Sequence, residues 1–214
     1  MHYINPNKWK RKKHFAFFRK FDWPHFTICS DVNITSTYRL MREKRISINT
    51  AVLFAVMKTC NSIEEFRYRI KGNRIKVLDI VHAGTTVLAD EDVYSNCIIP
   101  YSESFTVFSM SYNEVSASVK NNIVLDEDDK KRDDLIYTSS LPWISFTHAS
   151  NPMKINPADS IPRIIWGKQY RRDSKIMMPF SVQVNHCLMD GVHIGKFFCK
   201  LEELFKNPDT LFSR

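Results

Sequence analysis

Phe180-Ser-Val-Gln-Val-Asn-His186-Cys-Leu-Met-Asp190-Gly191 runs straight into Val-His-Ile-Gly-Lys-Phe-Phe-Cys-Lys-Leu-Glu-Glu-Leu-Phe205, and the two halves have different periods. Val182 and Val184 alternate with Gln183 and Asn185, the period of a strand. Ile194, Phe197, Phe198, Leu201, Leu204 and Phe205 recur at three and four, the period of a helix. His186 therefore falls at a strand-to-helix junction. Asp190 and Gly191 occupy the turn, where glycine tolerates backbone twists and aspartate accepts backbone hydrogen bonds. A side chain displayed there is held by regular structure on both sides. A lone histidine at a strand end is more often structural than chemical, so the rest of the chain has to decide.

The 214 residues are 43% hydrophobic and 13% aromatic, enough for a sizeable core, and predict a single domain spanning 1–214. No run approaches the roughly 18 apolar residues of a membrane span, and no apolar stretch follows the basic N-terminal cluster. A soluble, cytoplasmic protein with no membrane partner is expected. The five cysteines (Cys29, Cys60, Cys97, Cys187, Cys199) are odd in number, widely spaced and contain no Cys-x-x-Cys pair. They predict neither a disulfide framework nor a metal site, but free and mostly buried thiols. Cys187 adjoins His186, yet consecutive residues at a strand end point opposite ways, which argues against it as a nucleophile.

A net charge of +8 favours an anionic partner without naming it. The densest run, Lys10-Arg11-Lys12-Lys13, has no nucleic-acid fold motif and no stacking platform beside it, so it reads as a solvated face and no nucleic-acid partner is expected.

Trp9 to Lys20 reads as a short amphipathic helix with Phe15 and Phe18 on its apolar side. His25 to Val32 reads as a strand, and a helix with a polar cap runs from Asn33-Ile-Thr35 to about Arg42. Asn49 to about Ser62 is a nearly all-apolar helix that belongs in a core. Glu65 to Asp79 alternates on both sides of Gly72-Asn73, a hairpin signal. Thr85–Leu88 and Asn96–Tyr101 read as strands around an acidic turn at Asp90-Glu91-Asp92, a long hairpin over 89–101. A helix follows Glu103-Ser-Phe105 to near Lys120, and the mixed charges of 126–134 read as an exposed loop. Tyr137-Thr-Ser139-Ser-Leu-Pro142-Trp143-Ile-Ser145-Phe146-Thr147 is strand-like with a proline that marks a bulge or edge. Ile161–Tyr170 and Ile176–Val184 supply two more strands around the turn Arg171-Arg172-Asp173-Ser174.

The pattern His186-x-x-x-Asp190-Gly191 after a buried strand and before an amphipathic helix resembles the active-site signature of the chloramphenicol acetyltransferase family, a pattern shared with dihydrolipoyl acyltransferases. Three further stretches single out the former: Trp9-x-Arg11-x-x-His14-Phe15, Glu65-Phe-Arg, and the Ser-x-x-Pro-Trp-x-Ser-Phe-Thr run from Ser139 to Thr147. The lipoyl-dependent relatives carry extra modules that do not fit in 214 residues. The resemblance implies an α/β two-layer sandwich, a mixed β-sheet covered by helices. It implies an acyltransferase that moves an acetyl group from acetyl-CoA, a cosubstrate rather than a bound cofactor, to a hydroxyl of a small acceptor, chloramphenicol first. It also implies a homotrimer with active sites at subunit interfaces. A different hydroxylated acceptor, or a non-catalytic homologue that binds a small ligand, is the alternative.

The roles it implies are specific. His186 is the general base, a task that suits an imidazole whose unperturbed pKa of about 6.5 lies near neutrality. Ser139 donates to the tetrahedral oxyanion, where residues alone would make it a strand serine bonded to its own backbone. Asp190 pairs with Arg11 and shapes the site. Phe18 and Phe105 line the acceptor pocket. Lys168 is a candidate for a CoA phosphate, and Trp143 for CoA, although a tryptophan there reads more readily as core. Departures from the family pattern concern the acceptor. Asn185 replaces a histidine before the base, His148-Ala149-Ser150-Asn151 replaces an aromatic, and Ile165 stands where a threonine is common.

Overall fold

The computed structural model describes residues 1–89, 92–120 and 132–212. Strand β1 (His2–Ile4) and a 3₁₀ turn at Pro6–Lys8 precede helix α1 (Lys12–Phe18). This helix is shorter than the Trp9–Lys20 expectation because Trp9 and Arg11 are buried and turned into tertiary contacts. Next come β2 (His25–Asn33) and α2 (Thr35–Glu43), whose capping residue is the apolar Ile34 rather than the polar one expected; Asn33, one residue earlier, accepts the Thr35 N–H on its Oδ1 at 3.1 Å. Helix α3 (Ile48–Asn61) buries ten of its fourteen residues, so its apolar composition reflects a helix surrounded by protein.

The predicted hairpin begins later than its alternation suggested. Glu64–Arg67 forms a 3₁₀ turn, and only then do β3 (Tyr68–Lys71) and β4 (Arg74–Val77) pair across Gly72, whose φ of 58° suits glycine. Phe66 is fully buried and the Arg67 guanidinium bonds the Leu78 carbonyl at 2.6 Å, so tertiary contacts override local alternation. Strands β5 (His82–Leu88) and β6 (Tyr94–Ile99) form the long hairpin, of whose acidic turn only Asp92 is described. Helix α4 (Phe105–Lys120) follows. Of the charged 126–134 run, 126–131 lie outside the described residues. Asp133 and Asp134 are not the exposed residues expected: both are partly buried, Asp133 against Lys76 at 2.9 Å and Asp134 against Arg132 at 2.8 Å.

The C-terminal half adds β7 (Leu135–Leu141), β8 (Arg163–Gly167), β9 (Tyr170–Arg172) and β10 (Lys175–Asn185), then α5 (Gly191–Lys206) and α6 (Pro208–Phe212). The large sheet has the order β2-β10-β8-β7-β5-β6, with β9 also on β10, and β1-β4-β3 form a small one. β7 is parallel to both β5 and β8 while the other pairs are antiparallel, so the sheet is mixed. Helices α2 to α5 pack on the sheet. Alternate residues of β10 (Met178, Phe180, Val182, Val184) enter the buried core with α3 and α5. Their neighbours Ser181 and Gln183 face the other way and bond the Ala149 carbonyl and the Asn151 N–H at 2.5 and 2.8 Å. The 148–151 run is thereby strapped across the outer face of the sheet. No helix is long and apolar enough to cross a membrane, among the described residues.

Candidate active site

His186 follows β10 directly, and its N–H bonds the Pro24 carbonyl at 2.7 Å. Its ring lies flat on Phe18, with centroids 3.9 Å apart and planes 14° apart, and tilts against Phe26 at 4.4 Å. Nδ1 is 2.9 Å from the Met189 carbonyl oxygen and 3.1 Å from Asp190 Oδ1. Both neighbours are acceptors, so in the neutral ring the proton belongs on Nδ1, and Nε2 keeps its lone pair.

Asp190 caps α5, and its other oxygen pairs with Arg11 Nη1. Arg11 is 7% exposed, reaches the His186 carbonyl at 3.4 Å and stands over Trp9. The guanidinium holds the Asp190 carboxyl below the usual carboxylate range, against the opposing pull of burial. Residues 179 apart in the sequence thus meet at the turn after His186. Asn185 adds a second brace, donating to the Asp159 carbonyl at 2.8 Å and accepting the Cys187 N–H at 2.9 Å. The Cys187 thiol is 1% exposed, and burial pushes it up to about 11, which leaves no thiolate at neutral pH. Cys60 and Cys97 are buried too, Cys29 is half-buried and Cys199 exposed, and all five are free, in line with the expectation of free and mostly buried thiols.

Ser139 sits elsewhere. It opens into a cavity of about 800 Å³ on the outer face of the sheet, lined among others by Thr86, Tyr94, Asn96, Trp143 and Asn151. Its Oγ lies 3.2 Å from Thr86 Oγ1, so a Thr86 donor leaves the serine proton free for the cavity. Ser139 pairs with Ile165, Ile165 pairs with Ser181, and His186 lies five residues beyond Ser181. Two strand spacings sideways and five residues along the strand put the two Cα positions roughly 19 Å apart within one chain.

Other candidates divide between these two places. Phe18 is with His186. Trp143 is in the Ser139 cavity and 62% exposed, which overturns its reading as core, because the turn after Pro142 lifts it off the sheet. Lys168 is exposed, and its N–H bonds the carbonyl of Ile144, next to Trp143, at 2.7 Å. Phe105 packs instead between Phe54 and Phe212, at 5.3 and 4.7 Å, among the helices. The aromatic side chains around Ser139 are Tyr94, Tyr137 and Trp143, with Arg163 stacked on Tyr137 at 5.1 Å. Thr86 and Tyr94 carried no local signal; only the pairing of β5 with β7 and β6 brings them to the serine. Ile165 is buried between Ser139 and Ser181, and no cluster of metal-ligating side chains occurs among the described residues.

Known proteins resemble this arrangement along almost its whole length. Chloramphenicol acetyltransferase 2 of Haemophilus influenzae is 26% identical over 205 residues, 95% of this chain and 96% of its own. The chloramphenicol acetyltransferase of Clostridium perfringens is 27% identical over 210 residues, 97% of this chain and 95% of its own. A solved structure named chloramphenicol acetyltransferase superposes with a TM-score of 0.84 over 94% of this chain and 98% of its own, at 25% identity. The dihydrolipoamide acetyltransferase of Azotobacter vinelandii shares the fold, with a TM-score of 0.72 at 17% identity, covering 94% of this chain and 88% of its own. A family model described as chloramphenicol acetyltransferase matches residues 1–202, almost the whole chain, and the chain therefore belongs to that family of acyltransferases.

Proposed function

We propose that this protein transfers the acetyl group of acetyl-CoA to a hydroxyl of a small acceptor, chloramphenicol being the first candidate, in sites shared between neighbouring subunits of a trimer. His186 of one subunit is the base and Ser139 of the next is the oxyanion donor. The observation that carries the reading is the pairing of a histidine primed at Nε2 with a serine cavity too distant to serve it in the same chain. Exposed apolar side chains support self-association. Phe17, Phe21 and Trp23 surround the His186 end, while Leu88, Tyr94 and Trp143 surround the Ser139 end. Two different patches that cover each other make a head-to-tail interface, which closes into a ring of three when each subunit is turned by a third of a circle from the last.

Nε2 of His186 takes the acceptor hydroxyl proton as that oxygen attacks the thioester carbonyl. The carbonyl π pair moves onto oxygen, and the Ser139 hydroxyl donates to the resulting oxyanion. Collapse expels the CoA thiolate, which takes the proton from the imidazolium. The acetyl ester forms, free CoA leaves and the histidine is neutral again. Asp190 and Arg11 hold the ring without relaying protons. Cys187 takes no part.

Release of CoA thiol from acetyl-CoA, measured with chloramphenicol and with other hydroxylated acceptors, tests the reading. Acceptor-dependent release is expected. Release with another acceptor but not chloramphenicol retains the chemistry and replaces the drug; no release with any acceptor overturns the enzyme reading.

A further inference from the structure

Glu65 and His193 come from distant parts of the chain and meet behind Asp190. His193 is the third residue of α5 and is 5% exposed. Its Nδ1 accepts the Asp190 N–H at 2.8 Å, and its Nε2 lies 3.3 Å from Glu65 Oε1, on the 3₁₀ turn before β3. A glutamate or glutamine usually makes this return contact to the capping residue of a helix. Here an imidazole does so, and the geometry dictates its proton: Nδ1 must keep its lone pair for the Asp190 N–H, so the hydrogen sits on Nε2 and points at Glu65. The hydrogen bond from His193 holds the Glu65 carboxyl down to about 2, so an anion faces that proton. Asp190, in turn, has both carboxylate oxygens committed, one to Arg11 and one to His186 Nδ1. A rotation of its backbone would misplace both contacts together.

We propose that Glu65 and His193 are positioning residues for acetyl transfer, fixing the Asp190 backbone so that its carboxylate reaches Arg11 and the His186 ring at once. This rests on the reading of His186 as the base. Neither residue touches substrate, so the effect belongs in kcat. His193→Ala should lower kcat about 10- to 100-fold, the scale of a small misplacement of a reacting group, with KM for acetyl-CoA unchanged. His193→Gln should recover most of that loss, because one amide can accept from Asp190 and donate to Glu65 at the same time. In a double-mutant cycle the His193→Ala loss should vanish once Asp190→Asn is present, since a residue that acts through Asp190 has nothing left to position.

Nitrogen-15 NMR of the His193 ring in the intact protein reads the same geometry with or without turnover, and a neutral Nε2-protonated ring is expected. Losses that multiply in the double variant, a glutamine variant as slow as the alanine one, or a ring protonated at Nδ1 would each overturn the proposal. Wild-type protein that acetylates nothing while its His193 ring shows the expected tautomer would overturn the reading of His186 as base and, with it, the positioning role.

Discussion

His186 has its polar ring neighbours, Met189 O and Asp190 Oδ1, on one nitrogen and aromatic rings across its faces, so among the described residues the other ring nitrogen has no polar partner. Truncation to alanine removes the imidazole and leaves Phe18 and Phe26 in place. His186→Ala is expected to lose at least the 10² to 10⁴-fold typical of a general base, and Ser139→Ala about 10² to 10³-fold, with unchanged thermal unfolding. Turnover retained in the histidine variant would refute the mechanism. The Asp190–Arg11 pair adds a pH dependence. Asp190 titrates below its unfolded value, so its ionised form stabilises the fold above that unfolded value, and the contribution is lost as pH falls through the folded one. Asp190→Asn leaves Arg11, with its side chain 9% exposed, without a counter-ion and should cost about 2–3 kcal/mol at pH 7, less than a fully buried pair because the Asp190 side chain is 29% exposed. In urea unfolding the gap between wild type and variant should close as pH falls through the acid range; a gap that stays constant down to pH 3 would show that the pair contributes nothing through charge.

At the scale of elements, what could be read from the chain was what repeats or punctuates locally. The period change across His186 located β10, the turn after it and α5, and the apolar run located α3, because each pattern is completed within one element. Glu65-Phe-Arg misled because alternation continues through it while Phe66 and Arg67 are committed to contacts that favour a 3₁₀ turn. Trp143 misled because hydrophobicity says nothing about a turn that leaves the sheet. Strand order was not legible either, since β7 lies between β5 and β8 only in the folded sheet, and the Thr86–Ser139 contact depends on that order. Gly84 tests the β5–β7 packing. A Cβ there would stand 2.9 Å from the Tyr137 ring, which lies on Arg163 beside the Ser139 cavity. Gly84→Ala should therefore destabilise by about 1–3 kcal/mol through overpacking. It should also raise KM for whichever substrate enters that cavity. A variant with wild-type melting temperature and both KM values unchanged would mean that Tyr137 moves aside freely.

For the whole molecule, the decisive quantity is the distance between the two candidate catalytic side chains. A histidine and a serine roughly 19 Å apart on one sheet cannot act on one carbonyl, whose base and oxyanion donor must both lie within hydrogen-bond reach. A cyclic trimer that sets the His186 end of one subunit against the Ser139 cavity of the next would bring them together three times. Mixing inactive His186→Ala with inactive Ser139→Ala protein, under conditions that exchange subunits, turns this into a count. In any mixed ring only one interface combines an intact histidine with an intact serine, while the opposite mixed interface carries both lesions. Equal amounts exchanged at random give about one quarter of the wild-type sites, since three quarters of the rings are mixed and each restores one site in three for a three-fold ring. Recovery near that level is expected by thiol release after exchange has been verified by mass. No recovery after verified exchange, or a sedimenting monomer with full turnover, would place both side chains' roles within one chain and refute the shared site.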